Sequence, residues 1–162
     1  MTKERKPAIL YRLQSAARLG RTSLATRLLE HGLYAGQDAI MLQLATEDGL
    51  PPGVLAQRLG VRPPTVTKTI ARLQSQGFVT KQPSEKDQRQ AHVFLTDSGR
   101  EVIKTIEKSI RKTEKDALRG LDKKERKTLL KLLNRLEANL SVRDAVRPAD
   151  EAEEAPEEEY VE

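Results

Sequence analysis

Along residues 7–31 apolar side chains recur at Leu10, Leu13, Ala17, Leu24 and Leu28, with Arg12, Arg18, Arg21 and Arg27 between them. That spacing predicts a long amphipathic helix, weakened in its middle by Gly20 and closed by Gly32. A second helix is predicted from about Ala35 to Thr46, carrying Ile40, Met41, Leu42 and Leu44, before Asp48-Gly49 and Pro51-Pro52 break the chain. A short helix over Gly53–Leu59 turns inward Leu55, Ala56 and Leu59. After a tight turn at Gly60-Val61, another runs from Pro64 to about Gln76, with Pro63 in a first-turn position and Gly77 as cap. Two short helices joined by a glycine-containing turn outline a helix-turn-helix.

After Gly77 the period shortens from 3.6 to 2. Residues 78–82 and 91–95 read as two strands around a polar stretch, 83–90, that contains Lys86 and Arg89. A hairpin in that place is a wing. Thr96 or Asp97 can cap a helix from about Ser98 to Arg119, striped by Ile103, Ile106, Ile110 and Ala117. Asp122 can cap a last helix to about Leu140, with Leu129, Leu133, Leu136 and Leu140 in a seam that Leu130 and Leu132 widen. The fold class expected is mainly α with a small β-hairpin wing, a winged helix-turn-helix joined to a helical dimerisation arm. The divisions are 1–34 (N-terminal helix), 35–97 (winged helix-turn-helix), 98–141 (C-terminal helices) and 142–162 (an acidic tail).

Composition narrows the chemistry. The 162 residues contain no cysteine, which excludes a disulfide frame, cysteine-ligated zinc and thiol redox sensing. His31 and His92 are too few and too far apart for a metal or catalytic motif. No paired carboxylates, phosphate loop or nucleophile motif stands out, so no enzyme, cofactor or metal is expected. No run approaches a membrane span, and the first residues lack a secretory apolar stretch, so the expected location is cytoplasmic. The net charge of +5 hides two blocks: residues 1–143 carry +13 and residues 144–162 carry −8. The basic block is the footprint of a polyanion binder. The tail has too few apolar side chains to fold and is read as disordered, either a solubilising segment or a competitor for the basic face.

On a helical wheel Val66, Ile70 and Leu73 fall within about 60° of one another, defining a buried side. Pro64, Lys68, Ala71 and Ser75 lie opposite, flanked by Thr65, Arg72 and Thr67. Small side chains allow close approach to base edges in a major groove, where Thr can bond a base or touch a thymine methyl and Lys can reach guanine. Arg72 and Arg58 are better placed for phosphates. Taken alone this is also an ordinary solvated helix face. The preceding turn, the following basic hairpin and the +13 block together favour DNA.

The run Leu55-Ala56-Gln57-Arg58-Leu59-Gly60-Val61, then Pro64-Thr65-Val66-Thr67-Lys68, Leu73 and Gly77-Phe78-Val79, resembles the multiple-antibiotic-resistance regulator (MarR) family. Asp87-Gln88-Arg89, Val93-Phe94-Leu95-Thr96 and Gly99 continue the likeness, as do Gly32-Leu33 and Gln37, over about residues 8–140. The resemblance implies a winged-helix homodimer on a palindromic double-stranded operator. It also implies that the first and last two helices, through Leu10, Leu13, Ile106, Ile110, Leu129, Leu133, Leu136 and Leu140, form the dimer interface. In the wing it implies that Arg89 enters the minor groove or grips phosphate and that Asp87 holds the hairpin; Lys86, in the same polar stretch, is a further expected DNA contact.

The resemblance further implies a repressor released by a small aromatic acid or phenol bound between winged helix and arm, where Arg18, His31, Tyr34 and Met41 offer a cation, an imidazole and apolar walls. The chain departs from the family at Tyr34 and Pro51, where a capping Thr is usual, and at Val54, Asp38 and Arg62. Arg62 at an N-cap is either a phosphate contact or a solvated cap. For residues 98–140 two readings stand: helices covering the domain's own core, or a dimer interface, which the 3% aromatic content favours. A winged-helix protein-interaction module and a non-specific architectural DNA binder are the competing functions.

Overall fold

A computed structural model of the chain describes residues 8–83 and 91–144. In chain order the elements are α1 (Ile9–Leu29), α2 (Gln37–Thr46), α3 (Pro52–Leu59), α4 (Pro63–Ser75), β1 (Val79–Pro83), β2 (Ala91–Leu95), α5 (Asp97–Ala117) and α6 (Lys123–Asp144). The fold is the mainly helical winged helix expected, with one two-stranded antiparallel hairpin.

Three helices end by the same device. After α1 the Leu33 N–H donates to the Leu28 carbonyl and the Gly32 N–H to Leu29; after α4, Phe78 donates to Leu73 and Gly77 to Gln74. After α3, Val61 donates to Ala56 and Gly60 to Gln57. In each, a glycine with positive φ turns the chain back over its own last carbonyls. This moves one boundary. The Phe78 N–H is taken by its helix, so β1 begins at Val79 rather than Phe78 and extends to Pro83, paired with Ala91. Likewise Gly36 sits at φ +87°, and α2 starts at Gln37 rather than Ala35.

The described residues divide between Ala117 and Leu118 into two units. In the first, α4 packs on α2, α3 and β1, while α1 packs on α5. Their shared core contains Leu28, Leu33, Ile40, Met41, Leu44, Leu55, Val66, Ile70, Leu73, Val93 and Ile106. Ile106 is therefore a correction: expected at a dimer interface, it is fully buried inside its own chain, with Ile110 packed against the same cluster. The loop before α3 adds a third ladder partner to the wing, unforeseen from the sequence. Gly49 donates to the Val93 carbonyl and Val93 to the Leu50 carbonyl, both at 3.0 Å.

In the second unit Asp122 caps α6. Its Oδ1 accepts the N–H groups of Lys124 and Glu125, and Glu125 reaches back to the Asp122 N–H. That is a complete capping box. The helix runs to Asp144, past the expected end at Leu140. Residues 145–162, most of the expected acidic tail, lie outside the described residues.

Candidate nucleic-acid interface

The outward face of α4 is built by what its inward face buries. Val66, Ile70 and Leu73 are buried; Pro64, Thr65, Thr67, Lys68, Ala71, Arg72 and Ser75 are all exposed. Arg62 sits at the N-cap without a side-chain capping bond. The helix tolerates this because Pro63 and Pro64 fill its first two positions and have no N–H to satisfy. The next two donors, Thr65 and Val66 N–H, reach the Arg62 carbonyl at 3.0 and 3.3 Å. The Arg62 guanidinium is thus not needed by the helix and stands exposed at its start. The Thr67 hydroxyl donates to the Pro63 carbonyl at 3.1 Å. Its oxygen still accepts, and its methyl can meet a thymine methyl.

Arg58 differs from the other candidate phosphate contacts. Its guanidinium donates to Glu47 across the gap between α2 and α3. Arg72 and Lys68 instead line an open cleft of about 650 Å³ with Tyr34, Ala71, Ser75 and Gln76. Two cations flank this cleft, so an anionic ligand suits it electrostatically.

The wing is anchored at its base by one carboxylate. Asp48 Oδ1 accepts the Leu95 N–H at 2.9 Å and the Gly49 N–H at 3.2 Å, and its Oδ2 takes the Arg100 guanidinium from α5. Lys86, Asp87 and Arg89, the expected wing contacts, lie outside the described residues.

The four effector candidates differ in how far they are exposed. Tyr34 lines the 650 Å³ cleft and a second, apolar one of about 310 Å³ with Leu29 and Leu33. Arg18 and His31 are exposed on α1 and the turn after it. Met41 is buried in the core, so it has no free face for a ligand. Of the arm residues, Leu10, Leu129, Leu136 and Leu140 are exposed and Leu13 and Leu133 half-buried. Sequence reasoning missed Asp48, read only as turn punctuation, and Gln76, read only as a helix end; no local signal links either to its distant partners.

Residues 33–91 match the model of the MarR family. An uncharacterized HTH-type transcriptional regulator of Mycobacterium bovis is 37% identical over 93 residues, covering 57% of this chain. The match spans 65% of that relative's length. The crystal structure of MarR is similar at a TM-score of 0.77 and 26% identity, covering 90% of this chain and 98% of that one. A mutant MarR from E. coli complexed with operator DNA shares the fold at a TM-score of 0.70 and 22% identity, covering 76% and 89% of the two chains.

Proposed function

We propose, from the match of residues 33–91 to the MarR family model, that this chain is a MarR-family winged-helix protein acting as a sequence-specific DNA-binding transcriptional regulator. It acts as a homodimer on a palindromic operator, with α4 of each protomer in a major groove. The observation that carries this reading is the two-sided build of α4: three apolar residues buried, and a small, basic face left to solvent. Thr65, Thr67 and Lys68 read base edges, while Arg62 and Arg72 grip phosphates. Arg58 adds to the grip only by exchanging Glu47 for a phosphate.

The regulator is a repressor released by a small aromatic acid or phenol. The cleft between Tyr34 and Lys68–Arg72 supports this reading because an anion held there occupies the cations that DNA requires. Selection of a random duplex library at near-physiological salt tests the whole proposal. Enrichment of a two-fold-symmetric motif with half-sites about one helical turn apart is the expected result. Retention without a motif makes the protein an architectural binder, and no retention of refolded, ligand-free protein removes DNA from its function. On the selected duplex, Arg89→Ala weakens binding without dissociating the dimer; unaltered affinity means the wing makes no contact.

A further inference from the structure

Apolar packing joins α1 to α5 and α4 to α2, α3 and β1. Between the end of α1 and the end of α4 runs a chain of amides beside the shared apolar core. The Tyr34 N–H donates to Gln37 Oε1 at 2.9 Å, Gln37 Nε2 to Gln76 Oε1 at 2.6 Å, and Gln76 Nε2 to the Gly32 carbonyl at 2.7 Å. Both ends are backbone groups of a single kind: an N–H can only donate and a carbonyl can only accept. The direction of each side-chain amide in between is therefore forced.

Gln76 is the C-cap of α4, but its amide is not closing its own helix, whose last carbonyls are taken by Gly77 and Phe78. It reaches 44 residues back, to the glycine that ends α1. Gln37 is 1% exposed, so its amide has no water to turn to if Gln76 lets go. A buried amide left without its partner is costly, and that cost makes the contact exacting.

We propose that Gln76 and Gln37 are positioning residues for DNA recognition. Their amide chain ties the last turn of α4 to the Gly32–Tyr34 turn and so sets the angle at which Lys68 and Arg72, two turns and one turn upstream, meet the duplex. The inference rests on the DNA-binding reading above. It places the determinants of recognition partly in residues that touch no base.

The test is Gln76→Met in the full chain, of similar length and unable to donate to Gly32. Hydrogen exchange at the Tyr34 N–H and affinity for the library-selected duplex and a scrambled duplex of equal length are read together. Exchange at Tyr34 is expected to quicken about tenfold, with specific affinity falling about tenfold and scrambled-duplex affinity holding within about twofold. Loss of overall stability would instead lower both affinities together. Unchanged exchange at Tyr34 overturns the amide chain, whatever DNA does. Quickened exchange with unchanged discrimination overturns the positioning role. A wild-type chain that selects no duplex overturns the regulator reading, and the positioning role with it.

Should Gln76→Met not fold, Gln76→Glu keeps the acceptor for Gln37 but sets an oxygen against the Gly32 carbonyl. Gln74→Glu adds the same charge on the same turn, at an exposed position outside the amide chain. Greater loss of discrimination in the first variant sustains the proposal; equal loss overturns it.

Discussion

At Gly49 the backbone has φ +75°, and a Cβ built there lies 2.6 Å from the ring of Phe94. The same residue donates to Val93 and accompanies the Asp48 carboxylate that holds Leu95 and Arg100. Gly49→Ala is therefore expected to cost about 2–4 kcal/mol, read as a lower denaturant midpoint, and to loosen the base of the wing. An unchanged midpoint would mean the loop rearranges freely. The α4 face separates into two kinds of contact by chemistry. Thr65→Ala and Lys68→Ala should change preference at particular base positions. Arg72→Ala should weaken all duplexes alike and reduce the slope of log affinity against log salt by about 1; a position-specific effect at Arg72 would make it a base contact.

The helices were legible because apolar period and punctuation agree: 3.6-residue spacing with glycine or proline at the ends. Boundaries slipped where a backbone group was claimed by a neighbour, as when Phe78 gave its N–H to Leu73 instead of the hairpin. Arg62 looked like a defective cap, but the prolines after it remove the donors that a cap exists to satisfy. Two element-level changes follow from these rules. A Cβ at Gly20, inside α1, meets nothing within 4 Å, so Gly20→Ala should raise stability by about 1 kcal/mol through helix propensity. Asp122→Ala removes the acceptor for two N–H groups at the start of α6 and should cost about 1 kcal/mol. Thermal melts measure both, and a destabilised Gly20→Ala would show that the position is covered in the assembled protein.

Over the whole molecule, apolar surface remains where one chain has no further use for it. Ile9, Leu10, Tyr11 and Leu19 of α1 are exposed, and so are Leu129, Leu130, Leu132, Leu136 and Leu140 of α6. A second copy is the occupant expected in the proposed homodimer. Leu136→Asp should shift the sedimenting species toward monomer and abolish high-affinity operator binding; an intact dimer would place the interface elsewhere. The two helices of residues 98–140 differ: α5 gives Ile106 to its own core, while the leucines of α6 stay outside the core cluster. Periodicity could not make that distinction, because an apolar stripe states that a face will be covered and not by which chain. What the sequence by itself determined was local: the helices, the hairpin, the inward face of α4 and the small basic face opposite. Those depend on side-chain spacing and backbone punctuation, which neighbours along the chain decide. Only the tertiary structure decided that Asp48 would meet Arg100, that Leu50 would join Val93, and that Gln76 would reach Gly32. Each such pair lies more than forty residues apart in sequence, and neither a polar side chain nor a lone backbone bridge carries a periodic mark of the partner that folding brings to it.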